Sequence, residues 1–246
     1  MKSELSERSK SIRLKTIDLS KPNGGYHYGG CFSAVEILIS LFDHVLQKED
    51  KFVMSKGHAC WPYYVILQER GFKPLLEGHP HLDEENGVNY TTGSMGHGFP
   101  ATVGMALARK VQDTAGRLYV LIGDGECQEG TTWESFLIAA HRKLDNLCVI
   151  VDFNRIQGSG FVSDILPIDA LSATAVACGW RVTEVDGHNL NVLNSLLSKN
   201  YVDGKPHLVI ANTIKGKGVS FMENQPEWHA KWLDGEFEAT ARKELS

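Results

Sequence analysis

The regular exchange of β-prone runs for helical stretches along the second half of the chain limits the fold more than any other feature. Residues 118–122, 147–151, 181–185 and 207–211 are rich in Leu, Val, Ile, Tyr and Thr and read as strands covered on both faces. Helical stretches fall at about 131–143, 168–178 and 189–199. Such alternation predicts an α/β fold, a mainly parallel sheet with right-handed crossovers and helices on both faces. Ligands of such sheets bind beyond the carboxyl ends of the strands, so function belongs in the loops that follow them. Upstream, Ser33-Ala34-Val35-Glu36 reads as a capping box, with apolar Ile37, Leu38, Leu41, Phe42 and Val45 carrying a helix to about Gln47. No repeat, low-complexity tract or Pro/Ser-rich linker divides the 246 residues, which predicts one domain over 1–246. A core of that size buries roughly 70–75% of its unfolded surface.

Charge and composition narrow the partners. A net charge of −5 supplies no basic field for a phosphate backbone, so nucleic acid is not expected. The apolar runs, of which 147–151 is typical, are far shorter than the ~20 residues of a membrane helix, and residues 2–8 are charged rather than secretory. The expectation is a cytoplasmic protein off the membrane. Five cysteines, odd in number and without C-x-x-C spacing, indicate neither a disulfide framework nor a zinc site.

Two loops carry the chemistry. Gly123-Asp124-Gly125-Glu126-Cys127-Gln128-Glu129-Gly130 leaves a predicted strand and enters a helix for which Thr131, with Glu134 three residues on, reads as the cap. Its glycines allow close approach to a phosphate, and a helix start adds partial positive charge. The spacing is not the dinucleotide G-x-G-x-x-G, and Thr131 stands where a P-loop needs lysine. Alone, the loop reads equally as a glycine-rich turn. The next strand, however, runs into Asp152-Phe153-Asn154-Arg155-Ile156, which puts Asp124 and Asn154 at one sheet edge. A carboxylate, an amide oxygen and a nearby carbonyl are the hard ligands of Mg²⁺ or Ca²⁺ holding diphosphate oxygens.

Gly123-Asp124-Gly125 followed by Asn154 resembles the thiamine diphosphate signature. Further segments resemble the transketolase family: Gly57-His58, Gly78-His79-Pro80, Thr92-Gly93-Ser94-Met95-Gly96-His97-Gly98, Lys215-Gly216-Lys217-Gly218 and Trp228-His229. They follow family order and span nearly the whole chain. The resemblance is to the diphosphate-binding domain, and the pyrimidine-binding and carboxy-terminal domains do not follow. It implies the amino-terminal subunit of a split, two-component transketolase.

That resemblance implies residue roles. Asp124, Asn154 and the Ile156 carbonyl would ligate the cation. Gly123, Gly125 and Glu126 would belong to the diphosphate loop, with the Gly125 amide on the diphosphate, and His58 would donate to a diphosphate oxygen. His27, His79 and His229 match substrate-facing histidines, with His229 also in reach of the diphosphate, and imidazole moves protons near neutral pH. Glu129 matches a glutamate that meets the partner's cofactor-activating glutamate. Ser94, Met95 and Gly96 match the loop that grips the aminopyrimidine ring, with serine in place of proline. Tyr26 before His27, His97 for a common glutamine, and His81 after Pro80 depart from the family. The run His79-x-His81-x-Asp83 reads as a solvated loop or as a separate metal site.

The activity implied is transfer of a two-carbon ketol unit from a ketose to an aldose, with sugars or sugar phosphates as substrates and an α2β2 assembly. Two alternatives stand beside it: a subunit of a pyruvate-decarboxylating thiamine diphosphate synthase, and a non-catalytic cofactor-binding or regulatory subunit.

Overall fold

The β-prone runs pair side by side. The computed structural model describes residues 5–246. Its strands are β1 (Lys51–Met54), β2 (Leu118–Gly123), β3 (Leu147–Phe153), the short β4 (Ile156–Gln157) and β5 (Gly160–Phe161), β6 (Arg181–Asp186) and β7 (His207–Asn212). Its α-helices are α1 (Glu7–Ser20), α2 (Tyr28–Ser33), α3 (Val35–Ile39), α4 (Trp61–Glu69), α5 (Gly98–Val111), α6 (Gly130–His141), α7 (Val162–Ile165), α8 (Leu171–Ala177), α9 (Leu190–Leu197) and α10 (Gly235–Leu245). Strands β4 and β5 form a hairpin. The other five make one sheet in the order β1-β2-β3-β7-β6, every pair parallel.

Strand pleating sorts the core into two layers. Val120, Ile122, Val149, Val151, Leu208 and Ile210 pack with residues of α5, α6 and α8. Tyr119, Leu121, Cys148, Ile150, Val209 and Ala211 turn the other way, toward α1, α3, α4 and α9. The α/β architecture with helices on both faces is therefore as the sequence predicts. Among the described residues no helix is long and apolar enough to cross a membrane.

Some local expectations need correction. Strand β6 is not covered on both faces: it is an outermost strand, and Glu184 and Asp186 lie in solvent. The capping box at Ser33 is absent because helical structure has already begun at Tyr28 and breaks only at Ala34. Ser33 is buried there and donates to Asp152 Oδ2 (2.5 Å), with Gly30 O 3.1 Å away. The helix expected to reach Gln47 stops at Ile39 and passes into a wider π turn over 40–45. Thr131 does not cap α6 either; Glu129 occupies that position, and the Thr131 hydroxyl donates to Gly96 O at 2.6 Å. By contrast Asn189 does cap α9, accepting from the Val192 amide at 3.2 Å.

Glu36 has a larger task than a cap. Its oxygens accept from Arg13 Nη1 (2.7 Å) and Nη2 (2.9 Å), both side chains being fully buried. Burial alone would raise the carboxyl pKa; Arg13 and His188 more than offset that and hold it well below the usual range. His188 Nδ1 lies 2.8 Å from Glu36 Oε2, and its Nε2 accepts from the Ile214 amide at 2.8 Å. Arg13 Nε donates to Lys217 O at 2.8 Å. One run of buried bonds thus ties α1 and α3 to the segment after β7.

Buried histidine makes the fold acid-sensitive. His207 on β7 is 2% exposed, and burial, with Arg117, Arg181 and Lys199 adding to it, lowers its pKa from 6.5 to about 4. Between those values the unfolded chain binds the proton and the folded chain does not, so stability falls as pH drops. Urea unfolding of the wild type from pH 7 to pH 4 is expected to lose stability, His207 contributing on the order of 3 kcal/mol. In His207→Gln the slope should be shallower across that window.

Candidate functional site

Loops from the carboxyl ends of β1, β2, β3 and β7 meet on one side of the sheet, as chain direction in a parallel sheet requires. They enclose a cavity of about 290 Å³. Strand β1 sends Ser55, Lys56, Gly57 and His58; β2 sends Gly123, Asp124, Gly125 and Glu126; β3 sends Asn154 and Ile156; Lys215 and His229 come from beyond β7. Asp124 and Asn154 do leave neighbouring strands at one sheet edge, because β2 and β3 pair with Gly123 opposite Asp152.

Under the cavity lies Asp152, without exposed surface. It accepts from the Lys56 ammonium, from Thr213 Oγ1, from Ser33 Oγ (2.5 Å) and from Asn154 Nδ2 (3.3 Å). Burial pushes its pKa up, but Lys56 and the hydroxyl donors outweigh burial and leave it lowered and ionised. These bonds also orient Asn154, whose NH₂ gives its hydrogens to Asp152 and to Ser33 Oγ (3.3 Å). The Asn154 Oδ1 therefore turns the other way, accepting from the Ile156 amide at 3.1 Å.

Asp124 is 3% exposed and accepts from the Gly125 amide (2.8 Å) and the Arg155 amide. Burial and then the charge of Asp152 raise its pKa to about 6. A second cation near this pair of acids would relieve both effects. Lys215 goes part of the way: its Nζ donates to Ile156 O at 2.8 Å, the carbonyl expected to ligate metal. Burial and then the neighbouring Lys56 lower the Lys215 pKa to about 8, against the pull of Asp124 and Asp152. The Asp124, Asn154 and Ile156 oxygens suit a hard divalent cation. Among the described residues no group of three His, Cys, Asp or Glu could hold a metal. Within the His79-x-His81-x-Asp83 run, His81 is paired to Glu77 at 2.9 Å.

Three predicted histidines come together. Ring centroids of His27, His58 and His229 lie 5.2–5.6 Å apart. Burial first, then neighbouring cations, lowers His229 to about 3 and His58 well below 6.5; for His27 burial, His79 and Lys215 give about 4. All three are neutral at pH 7, each with one N–H and one lone pair. Lys215 Nζ lies 3.0 Å from His229 Nδ1, and because an ammonium only donates, the proton of that ring sits on Nε2. His79 makes no ring contact with this cluster although it bears electrostatically on His27; it is exposed, with its ring in reach of Gly93. Its pKa is lowered by partial burial and by His81.

The segment 93–96 closes another side. Met95 lines the cavity with 47% of its surface exposed, whereas Ser94 lines a neighbouring hollow. Gly96 has φ +73°, and a Cβ there would meet Thr131 Oγ1 at 2.5 Å and Glu129 Cβ at 2.8 Å. Its amide donates to Glu126 Oε1 at 3.1 Å, which also receives the Ser55 hydroxyl. Glu126 Oε2 is buried without a partner, and burial raises the carboxyl pKa. Glu129 rests against Gly96 and does not line the cavity. The Gly125 amide is turned to Asp124, and a Cβ on Gly125 would sit 2.8 Å from Gln157 Oε1.

Residue-by-residue reading left out Ser55, Lys56, Asp152, Thr213 and Lys215. Lys215 belongs to the segment Lys215-Gly216-Lys217-Gly218 and Lys56 directly precedes Gly57-His58, but the sequence reading gives neither lysine a role. An aspartate closing an apolar strand was the available signal for Asp152, because such acids are buried only when paired.

Donor set and crowded glycines fit a metal-bound diphosphate cofactor, and the class so defined is a thiamine diphosphate-binding α/β domain. Residues 6–246 match the family described as transketolase, thiamine diphosphate binding domain. The chain belongs to the transketolase family. It is 41% identical to one of the subunits of apulose-4-phosphate transketolase from Actinobacillus succinogenes, over 98% of this chain and 96% of that protein. Identity to the 6-deoxy-6-sulfo-D-fructose transketolase subunit of a Clostridium species is 33%, with the same coverage. Transketolase of Rattus norvegicus is 34% identical over 93% of this chain but only 40% of its own. Among solved structures, transketolase from Leishmania mexicana superposes with a TM-score of 0.89 at 25% identity, covering 98% of this chain and 42% of that one.

Lys56→Met and Asp152→Ala each strand a buried charge. Each is expected to lower unfolding free energy by about 3–5 kcal/mol. In a urea double-mutant cycle the double variant should lose less than the two single losses together.

Proposed function

We propose that this chain is the cofactor-holding subunit of a two-chain transketolase, active with a partner that carries the pyrimidine-binding and carboxy-terminal domains. The observation that carries the reading is the meeting of Asp124, Asn154 and the Ile156 carbonyl with a cluster of neutral histidines at one end of the sheet. Near end-to-end match to relatives that are themselves named as single subunits of a transketolase supports the two-chain arrangement. The reaction breaks the C2–C3 bond of a ketose and joins its two-carbon ketol unit to the aldehyde carbon of an aldose, releasing a shortened aldose. Thiamine diphosphate, when bound, supplies the carbon nucleophile that carries the ketol unit.

This chain's residues do the holding and the proton work. Asp124, Asn154 and Ile156 O would hold Mg²⁺ or Ca²⁺, and His58, the Gly123–Gly125 loop and Lys215 would face the diphosphate. Ser94, Met95 and Gly96, braced by Glu126, would support the aminopyrimidine ring. Neutral His27 can donate to a developing alkoxide or accept a hydroxyl proton, whereas His229, whose Nδ1 lone pair faces Lys215, can donate from Nε2. His79 would hydrogen-bond the donor, and Glu129, beside Gly96, would reach the partner's glutamate. Relatives named for a ketose phosphate and a sulfonated ketose support a ketose or ketose phosphate as donor. Two copies of each chain and a cytoplasmic location complete the reading; the five unpaired cysteines agree with a reducing compartment.

Asp124→Ala is expected to abolish Mg²⁺-dependent binding of thiamine diphosphate to the assembled protein in calorimetric titration. Unchanged affinity would remove Asp124 from the site. Purified alone with excess cofactor and Mg²⁺, the chain should show no ketol transfer, and adding the partner should restore it. Robust turnover by the chain alone would refute the two-chain reading, and CO₂ release from pyruvate would point to a decarboxylating synthase.

A further inference from the structure

Beyond the histidine cluster stands an aromatic pair that the cofactor site leaves unused. Tyr26 and Trp232 are 37% and 56% exposed, although rings of this size are ordinarily well covered. Their centroids lie 5.3 Å apart, and the Tyr26 ring is 4.2 Å from that of His27. His58 and His229 line the cavity; His27 stands over them at 5.4 and 5.6 Å, and the aromatic pair is next to His27 outside the cavity lining.

The backbone beneath both rings is held. Gly24 has φ +77°, and a Cβ on Gly25 would strike Ser20 Cβ at 2.5 Å and Trp61 Nε1 at 2.7 Å, so the turn before Tyr26 has one path. The Lys231 amide donates to Tyr26 O at 3.1 Å, and the Lys231 ammonium lies 4.7 Å from the ring of buried Trp228. Tyr26 precedes His27, and Trp232 follows His229 on the same stretch of chain. The pair and two of the histidines therefore ride on the same two segments, pinned to each other.

We infer that Tyr26 and Trp232 form a wall of the donor channel, receiving the carbon chain of the ketose on their faces while the histidines act on its reacting end. The inference rests on the ketol-transfer reading above and adds the residues that set donor affinity. A ketose chain offers C–H groups on its flanks and hydroxyls around them. A broad ring with an edge in water takes up the first and leaves the second solvated. Neither residue lines the cavity shared by Asp124 and Asn154, so the wall acts on the sugar and not on the diphosphate.

The test is steady-state ketol transfer by the assembled two-chain enzyme with Tyr26→Ala, Trp232→Ala, Tyr26→Phe and Trp232→Phe, using a five-carbon and a six-carbon ketose phosphate as donors. In each alanine variant the ketose KM should rise about three- to tenfold, the effect of losing one aromatic contact. Turnover at saturation should stay within about twofold, thiamine diphosphate affinity should not move, and the phenylalanine variants should keep most of the wild-type KM. An unchanged ketose KM, an equal loss of cofactor affinity, or dissociation of the assembly on gel filtration would overturn the wall. Fluorescence supplies a readout without turnover: either ketose phosphate should shift the emission of the wild-type complex and not that of Trp232→Phe. Should the wild type show that shift yet transfer nothing, the ketol-transfer reading fails and the wall stands. Absence of any shift overturns the wall.

Discussion

Taking the Asp152 carboxylate out of water at the end of β3 costs several kcal/mol, and the donors that recover it come from four different parts of the chain. Lys56 arrives from the end of β1, Ser33 from the end of α2, Thr213 from beyond β7, and Asn154 from two residues downstream. None of these can satisfy the acid unless its own segment is in place. The floor of the site is for that reason a condition of folding rather than a set of side chains added to a finished scaffold. Asn154 shows the consequence most directly, since its oxygen faces outward only because its nitrogen is held inward.

Charge at this end of the sheet is carried by lysines and carboxylates and not by imidazole. Lys56 and Lys215 stand against Asp124 and Asp152, while His58 and His229 are kept neutral by burial and by those same lysines, and His27 by burial, His79 and Lys215. Fixed positive charge and neutral imidazole thus belong to different residues. Such a division lets the local field be strong without fixing the histidines in their charged form.

Much of this was legible in the sequence, and the failures share a cause. Four strands, the parallel sheet and the placing of Asp124 and Asn154 after neighbouring strands could be read because apolar runs and glycine loops are local signals. Ser33, Glu36 and Thr131 were read as caps because their spacing fits a helix start, yet each serves a contact distant in sequence: Asp152, Arg13 and Gly96 O. Spacing alone cannot reveal a partner many residues away. Nor can it distinguish a central strand from an outermost one, so β6 was expected to be covered on both faces. Lys56 and Asp152 were overlooked for the same reason; each has meaning only once β1 and β3 are known to end on the same side of the sheet, flanking β2.

The opposite border of the sheet, at β1, has been finished in a particular way. Carbonyls of Phe52 and Met54, two residues apart, accept side-chain hydrogens from Asn89 Nδ2 at 3.0 Å and Thr92 Oγ1 at 2.8 Å. A neighbouring strand would need those same acceptors to extend the ladder. With both already taken, the sheet is sealed on that side against edge-to-edge polymerisation. The residues that seal it lead straight into the 93–96 loop, so the chain that guards against runaway sheet growth also delivers a wall of the site.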